Sequence, residues 1–560
     1  MEKDENLNKK YEPIIRKSKE WPVVLLSKNR KAFIEQVAEE SFQKIKSLRS
    51  SKTALIEELE TTLYRERLRV KRNPWKVDPK DEEKFWNDIK TRLVNVSNEE
   101  NGDNEDIILR DIIDRYANEI SGNFKPSRYR FTREIVKFGF GRLLNASRLK
   151  KFSGLFRNKY TLQDKIQITG EVEQLRTLAS KSTVIMVPTH FSNLDSILIG
   201  WIIHILGLPP FIYGAGLNLF NIRIIAYFMN SLGAYKVDRR KKNLAYIETL
   251  KTYSKIALQS GAHSLFFPGG TRSRSGKIET ELRLGLLGSA MEAQRSLYAD
   301  GNEETDGKIY IVPVTLNYNY VLEAPVLINE HLRRQGQERY YVENDRFSTS
   351  YRIIKFLFKF FAKGSDISVS IGSAMDVLGN HVDNEGFSHD TQGRKINTRD
   401  YFVADGMITL NKQRETEYTR MLSSSIIKEY HKINRVFASH LVAFVAFQIL
   451  RKRYCKLDLY NFLRTPDEDL IIEYEVFKKE VERIRTKVFK LEKNGKLSTA
   501  PHLSDDIDKM IKLGINNVGM YHDQRPLLIS RRRGVILTQN INTLYFYHNR
   551  MDGYDLEKYF

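Results

Sequence analysis

The chain has 560 residues, and its 91 Lys and Arg against 70 Asp and Glu give a formal charge of +21 at pH 7. One cysteine, Cys455, excludes an internal disulfide and a cysteine-based zinc or iron–sulfur site, and 41% hydrophobic residues exclude a mainly disordered or collagenous chain. The excess positive charge indicates an anionic partner, which is a nucleic acid, a membrane surface or a phosphorylated substrate.

The amino-terminal residues Met1–Lys19 carry charges of both signs without an apolar core, so they do not form a secretory signal. No run of about 18 uninterrupted apolar residues occurs, which argues against a spanning helix. We therefore expect a protein on the cytoplasmic side. We find no internal repeat.

Residues 1–160 form a predicted helical amino-terminal region. Lys31–Leu48 and Thr53–Val70 place apolar residues three or four positions apart, as on one face of a helix. The turn-rich segment Asn98–Asp106 interrupts this pattern.

Residues 161–385 alternate short β-branched runs with helical patterns, which predicts an α/β domain: a central sheet with surrounding helices. Predicted helices include Lys242–Gln259 and Leu284–Leu297. The predicted strands are Thr183–Pro188, Pro210–Tyr213, Ala234–Val237, Ser264–Phe267, Ile309–Leu316 and Ile367–Ile371.

Residues 386–560 return to a helical pattern and form a predicted carboxyl-terminal helical region. Thr416–Arg453 is its longest piece, and Tyr474–Leu491 is another. The predicted layout is a central α/β domain between two helical regions.

A polar loop, Pro188–Asp195, follows the first predicted strand. Open α/β sheets place their sites at the carboxyl ends of strands. His190 could accept a proton from a substrate hydroxyl, while Asp195 holds the other ring nitrogen and stabilises the imidazolium. On spacing alone, a loop histidine bonded to backbone is the simpler interpretation.

Two further loops follow predicted strands and carry basic residues. Gly233–Arg240 ends in an arginine pair, and Phe266–Lys277 combines glycines with hydroxyl and guanidinium donors, a chemistry suited to phosphate. The second loop is not a P-loop, because Thr271 stands where the first glycine belongs and Ile278 where Ser or Thr would bind magnesium.

In this order the motifs resemble those of the glycerolipid acyltransferases, and among them the glycerol-3-phosphate and dihydroxyacetone-phosphate acyltransferases. His190–Asp195 is similar to the H-x4-D motif, Gly233–Arg239 to the second block, and Phe267–Arg274 to the third, F-x-E-G-x-R-S-R. Ile309–Val314 is similar to the fourth block, an apolar strand with Pro near its end. Ile426–Leu450 resembles the helical region after the catalytic domain in the large glycerol-3-phosphate branch.

The resemblance implies acyl transfer from acyl-CoA or acyl-carrier protein to the hydroxyl of glycerol 3-phosphate, the first step of phospholipid synthesis. It implies no acyl-enzyme, no metal and no cofactor beyond this co-substrate. His190 would be the general base and Asp195 its orienting partner, while Pro313 would shape a pocket. The residues implied in binding the acceptor phosphate are Arg239, Gly270, Thr271, Arg272 and Arg274.

Two positions depart from the family pattern. Gly269 stands where the third motif has Glu, and Lys236 replaces an apolar or aromatic residue in the second block. The acceptor is therefore open among glycerol 3-phosphate, dihydroxyacetone phosphate and lysophosphatidic acid. The length and the carboxyl-terminal helices favour the first two.

Two segments predict contact with an anionic membrane surface, as a peripheral or monotopic protein on its cytoplasmic face. Tyr351–Lys363 would form a helix with one basic stripe, and Arg128–Lys159 interleaves basic and apolar residues in a similar way. The residues predicted to contact the membrane are Arg352, Lys355, Lys359 and Lys363. Each segment could instead be a core helix with a solvated basic edge.

Two alternatives come from other classes. A nucleic-acid-binding protein would use Arg239–Lys242 and Arg531–Arg533 on phosphate backbones, but no helix-turn-helix, zinc or RNP-like motif accompanies them, so we expect no nucleic acid. An inactive membrane-binding relative is the other alternative, because of Gly269.

Overall fold

The computed structural model describes residues 11–96, 104–134, 166–217, 220, 229, 233–301, 307–336 and 367–560. Its centre is a seven-stranded, mostly parallel sheet flanked by helices, which confirms the predicted mixed α/β class. Most of Arg128–Lys159 and all of Tyr351–Lys363 lie outside the described residues. Among the residues described, no helix is both long enough and apolar enough to cross a membrane.

The central sheet has the strand order β1-β7-β6-β2-β5-β3-β4. Its strands are β1 (Ile166–Gly170), β2 (Thr183–Pro188), β3 (Ile212–Gly216), β4 (Ala234–Val237), β5 (Ser264–Leu265), β6 (Ile309–Tyr318) and β7 (Ile367–Ile371). Neighbouring strands are parallel except β6 and β7. The loops that follow β2, β3, β4, β5 and β6 therefore meet at one edge of the sheet. Strand β1 was missing from the predicted set.

The helices around and after the sheet are α6 (Val172–Lys181), α7 (Asp195–Ile205), α8 (Leu244–Gln259), α9 (Leu284–Ala299), α10 (Ala324–Gly336), α11 (Lys412–Ile433), α12 (Ala438–Arg453), α13 (Leu459–Phe462), α14 (Tyr474–Lys493), α15 (Ile507–Asn517) and α16 (Ile541–His548). They follow α1 to α5 of the amino-terminal region. Those are α1 (Pro22–Lys28), α2 (Arg30–Leu48), α3 (Lys52–Arg72), α4 (Glu82–Val96) and α5 (Asn104–Ile120).

Strand β2 is buried along its whole length, as expected for a parallel strand covered on both faces. Val184 and Met186 join a hydrophobic cluster that includes residues of α7 and α12. Ile185 and Val187 join another that includes residues of α9 and α11. Each face of the sheet is thus covered by a helix that connects its strands and by a helix that follows the sheet in the chain.

The amino-terminal helices dock on the β4 side of the sheet. A hydrophobic cluster joins them to α8 and to Tyr235 of β4. Asn243 caps α8 by accepting a hydrogen bond from the Tyr246 N–H at 2.8 Å, while its amide donates to Glu66 on α3 at 2.9 Å and to Tyr116 on α5 at 3.0 Å. One buried cap therefore also joins the two regions.

A network of buried ion pairs reinforces this contact. The Arg240 guanidinium contacts Asp238 at 2.7 Å and Asp78 of the amino-terminal region at 3.0 Å. Lys241 pairs with Glu119 of α5, and its side chain is 2% exposed. These two residues of the predicted nucleic-acid anchor Arg239–Lys242 are thus occupied inside the protein.

A short repeat that the sequence analysis missed follows the sheet. Asp376, Asp383 and Asp390 are seven residues apart, and each accepts hydrogen bonds from backbone N–H groups two to four residues later. The glycine three residues after each aspartate has a positive φ, as these turns require. The short strands here are β8 (His381–Val382), β9 (Ser388–His389), β10 (Lys395–Ile396), β11 (Val403–Ala404) and β12 (Met407–Ile408).

The predicted helix Thr416–Arg453 is wrong as a single element. It is divided into α11 and α12 because Asn434 has an extended backbone, with φ −63° and ψ 120°. The interruption is β13 (Arg435–Val436), which pairs with β15 (Ser498–Thr499). The remaining strands, β14 (Ile471–Glu473), β16 (Leu528–Ser530) and β17 (Val535–Leu537), form a separate sheet.

Replacing Arg240 with Ala should lower the free energy of unfolding by about 3–5 kcal/mol, because it leaves the buried carboxylates of Asp78 and Asp238 without their cation. Urea unfolding followed by tryptophan fluorescence checks this, since the guanidinium lies 3.9 Å from the Trp75 ring centre. Lys242→Ala, which removes an exposed neighbouring cation, is the control and should leave the midpoint nearly unchanged.

Candidate active site

The loop after β2 brings His190 and Asp195 together. His190 Nδ1 lies 2.9 Å from Asp195 Oδ2. Because Nδ1 faces the carboxylate, Nε2 is the ring nitrogen that can accept a proton from a bound substrate. The His190 side chain is 14% exposed and Asp195 is fully buried, so one end of the pair reaches the surface.

Asp195 is held by more than the histidine. Its Oδ2 accepts hydrogen bonds from the N–H groups of Phe191 at 2.6 Å and Ser192 at 2.9 Å, and its Oδ1 accepts one from the Tyr318 hydroxyl at 2.5 Å. Asp195 also begins α7, where the helix dipole favours a negative charge. These donors suit an ionised carboxylate that does not rotate.

The loop after β5 forms one wall of the site. The Phe267 ring stacks on the His190 ring with centroids 4.2 Å apart and planes 26° apart. The Ser273 N–H donates to the His190 carbonyl at 2.7 Å. The third predicted motif therefore supports the histidine directly through its aromatic and backbone groups.

Two of the predicted phosphate-binding arginines lie in this loop, each beside a carboxylate. Arg272 Nη1 lies 3.3 Å from Glu323, and Arg274 Nε donates to Glu330 at 2.9 Å. Arg274 also donates to the Thr271 hydroxyl at 3.2 Å. Burial lowers the pKa of Arg274 from its usual value, and the Glu330 charge opposes that change.

Gly270 and Arg239 occupy different parts of the same sheet edge. Gly270 has φ +76° and donates its N–H to the Phe267 carbonyl, which turns the loop. Arg239 is exposed after β4, three strands from β2, or about 14 Å at roughly 4.8 Å per strand. The structure thus groups Gly270, Thr271, Arg272 and Arg274 near His190 and places Arg239 at the sheet margin.

Pro313 is buried inside β6, within the strand that the sequence predicted. It pairs with Val187 of β2, and its carbonyl accepts the Gly372 N–H at 2.8 Å. The alternation of side chains puts it on the same face as Ile311, whose cluster contains α9 and α11 residues.

Glu323 joins the first and third motifs, and no sequence signal marked it. It accepts hydrogen bonds from the Asn193 N–H at 3.0 Å and the Ser192 hydroxyl at 3.2 Å, in addition to its contact with Arg272. Glu323 lies five residues after the end of β6, the strand that carries the fourth motif.

The carboxyl-terminal region supplies a buried cation beside the pair. Arg550 Nη2 donates to the Leu316 carbonyl at 2.8 Å and Nε to Asn317 Oδ1 at 3.0 Å, and its guanidinium lies 4.0 Å from the Phe191 ring centre. Burial lowers the pKa of Arg550 to about 10. Nothing in the local sequence around Arg550 indicates this placement.

The same region closes on the third-motif loop. Asn549 donates to the Ser275 carbonyl at 2.8 Å, and Lys277 pairs with Asp552 at 2.7 Å. A Cβ on Gly276 would collide with the Phe546 carbonyl, so the glycine permits this close approach. Within the described part of the chain, no three His, Cys, Asp or Glu side chains gather as a metal site would require.

Comparisons with known proteins match the part of the chain that contains this site. The sequence model of the Acyltransferase family matches residues 169–317, which contain β2, β5, β6 and the His190–Asp195 pair. The chain is 26% identical over 217 residues to a glycerol-3-phosphate acyltransferase of Pseudomonas paraeruginosa, covering 39% of this chain and 22% of that protein. It is 28% identical over 217 residues to a glycerol-3-phosphate acyltransferase of Pseudomonas putida, covering 39% and 23%.

A human dihydroxyacetone phosphate acyltransferase is 27% identical over 165 residues, covering 29% of this chain and 23% of that protein. The matched part of the chain thus spans about a quarter of the length of these curated relatives. Residues 169–317 therefore form an Acyltransferase domain, and the chain is similar over part of its length to glycerol-3-phosphate and dihydroxyacetone phosphate acyltransferases.

Proposed function

We propose that the chain transfers a fatty acyl group from a thioester, acyl-CoA or acyl-carrier protein, to a hydroxyl of glycerol 3-phosphate. The observation that carries this proposal is the 2.9 Å contact between His190 and a fully buried Asp195, with two arginines on the adjoining loop. Dihydroxyacetone phosphate is the second candidate acceptor, because the human relative is named for it.

The residues support a direct transfer. His190 Nε2 takes the proton of the acceptor hydroxyl as its oxygen attacks the thioester carbonyl carbon. The imidazolium that forms is stabilised by Asp195, and the new C–O bond is completed as the C–S bond breaks. The imidazolium then returns its proton to the departing thiolate, so the enzyme ends as it began.

Arg272 and Arg274 can bind the acceptor phosphate through charge-assisted hydrogen bonds. Each is close to a glutamate, at 3.3 Å and 2.9 Å respectively. A phosphate would compete with these carboxylates for the guanidinium groups. The glutamates therefore hold the arginines in place before the acceptor binds. They also balance the positive charge of the two guanidinium groups while the site is empty of acceptor.

An acylated product would be amphiphilic and would enter a membrane surface. Contact of the basic segment with Lys355 and Lys359 with such a surface stays a prediction from the sequence, and so does peripheral or monotopic association with the cytoplasmic face. Lysophosphatidic acid stays a third acceptor to be included in any substrate panel.

His190→Ala should lower kcat by about 10²–10⁴-fold, because the general base is lost. Release of free thiol from an acyl thioester in the presence of glycerol 3-phosphate, dihydroxyacetone phosphate or lysophosphatidic acid measures this and also ranks the acceptors. Circular dichroism should show an unchanged fold. Full turnover in a folded variant would contradict the role of His190.

Arg272→Ala should raise the KM for the phosphorylated acceptor by about tenfold or more, since a charge-assisted contact is lost, with a smaller change for the acyl donor. Arg333→Ala removes an exposed arginine of α10 and should change neither KM. If Arg272→Ala changed only the KM for the acyl donor, Arg272 would be a donor-binding residue instead.

Tyr318→Phe should lower kcat about 3- to 30-fold and leave both KM values nearly constant, because Asp195 loses one charge-assisted hydrogen bond. Tyr310→Phe is a matched control on the same strand, where the hydroxyl donates to the Gly386 carbonyl away from the pair. It should affect stability and leave kcat unchanged. Equal kcat values in Tyr318→Phe and Tyr310→Phe would show that the Tyr318 hydroxyl does not contribute to catalysis.

A further inference from the structure

The carboxyl group of Glu279 lies directly behind the candidate general base. Its Oε1 accepts the backbone N–H of His190 at 2.9 Å. Its Oε2 is enclosed and has no hydrogen-bond partner among the described residues. No local sequence pattern marks Glu279, which lies 89 positions along the chain from the histidine it contacts.

Glu279 also fills a space that another residue leaves empty. A Cβ placed on Gly269 would lie 3.0 Å from Glu279 Cγ and 3.2 Å from its Oε1. The glycine is the position where the third motif otherwise carries Glu. A carboxylate is therefore present at this place in the fold, although it comes from ten residues later in the chain.

We infer that Glu279 is a positioning residue for His190, whose carboxylate takes the place left by Gly269 and fixes the backbone of the general base relative to Asp195. This inference rests on the proposed function for its kinetic consequences. Its structural content, that Glu279 orders His190, stands on the contacts alone.

The contacts explain how the effect reaches the ring. The backbone of His190 is held on both sides, its N–H by Glu279 and its carbonyl by the Ser273 N–H at 2.7 Å. The ring is then confined between Phe267, at 4.2 Å, and the Asp195 carboxylate. Loss of the Glu279 acceptor would leave a half-buried N–H without its partner and release one of these restraints.

The charged groups near Glu279 make the bond depend on pH. Burial raises the pKa of Glu279 to about 7, against the His190 N–H and the Arg550 charge, which lower it, while the Asp195 charge raises it further. Tyr430 is the remaining titratable neighbour, and the Glu279 charge adds to the rise in the pKa of its hydroxyl. Glu279 therefore gains its charge, and binds the His190 N–H more strongly, as pH rises through about 7.

The first test compares Glu279→Ala and Glu279→Gln with Glu281→Ala, which removes an exposed carboxylate two residues away. Glu279→Ala should lower kcat about 10- to 100-fold with little change in either KM, since displacement of a catalytic group acts on the chemical step. Glu281→Ala should match the unaltered protein. A folded Glu279→Ala variant with unchanged kcat would overturn the inference.

The pH profile separates positioning from general support of the fold. In the unaltered protein, log kcat/KM should fall as pH drops through about 7, because Glu279 is protonated there and loses its charged contact with the His190 N–H. Glu279→Gln keeps the shape and a carbonyl acceptor but cannot change its charge, so the fall of log kcat/KM with decreasing pH should be less steep in this variant. An identical dependence of log kcat/KM on pH in both proteins would show that the charge of Glu279 does not position His190.

Moving the carboxylate tests its position directly. Gly269 does not have a positive φ, so its backbone accepts a side chain. Gly269→Glu alone should be impaired, because it crowds the Glu279 side chain. Combined with Glu279→Ala, it should recover kcat to within about fivefold of the unaltered protein. A double variant no better than Glu279→Ala would show that a carboxylate at this place is not what His190 needs.

A readout without turnover distinguishes this inference from the proposed function. Diethyl pyrocarbonate modifies exposed imidazoles, and peptide mass spectrometry reports the rate at His190. The modification rate of His190 should rise several-fold in Glu279→Ala and fall back to the rate of the unaltered protein in the double variant. This holds even if no thioester or acceptor is consumed. Equal rates in all variants would overturn the inference, whereas absent turnover in the unaltered protein would overturn only the proposed function.

Discussion

The buried negative charge of Asp195 is the constraint around which the site is built. A carboxylate with no solvent contact is stable only when donors replace the water it has lost. His190, Phe191, Ser192 and Tyr318 supply them at 2.5–2.9 Å. The two backbone donors shape the loop after β2, and the tyrosine aligns β6 with it. The hydrogen bonds that satisfy one charge therefore also fix the geometry of the candidate base.

The carboxyl-terminal region completes the site instead of extending a finished domain. Arg550 binds the Leu316 carbonyl and the Asn317 side chain, which lie two residues and one residue before Tyr318, respectively. Side chains of α12 and α16 share one hydrophobic cluster with Val314 and Leu316 of β6. Because the end of β6 carries the Asp195 partner, packing more than 200 residues away bears on the position of the pair. The three-part division at residues 160 and 385 stays a prediction.

The charge of +21 is divided among separate tasks. Arg240 and Lys241 are buried with carboxylates of the amino-terminal region, where they join that region to the sheet. Arg272 and Arg274 stand beside glutamates in the site. Among the residues that the structure describes, these four cations are thus paired with carboxylates of the fold.

Local pattern was enough to predict six of the seven strands of the central sheet and several of the longer helices, since alternation and helical spacing are properties of neighbouring residues. The His190–Asp195 pair was indicated by the order of several motifs along the chain and not by its own spacing. The division of Thr416–Arg453 was missed because one extended residue, Asn434, interrupts an otherwise helical pattern. The partners Tyr318, Glu323, Glu279 and Arg550 reach the pair from other strands and loops, so no spacing along the chain relates them to it. The sequence by itself determined the fold class and the candidate base. Tertiary structure alone decided which charges surround that base, because those charges meet only when distant segments share one core.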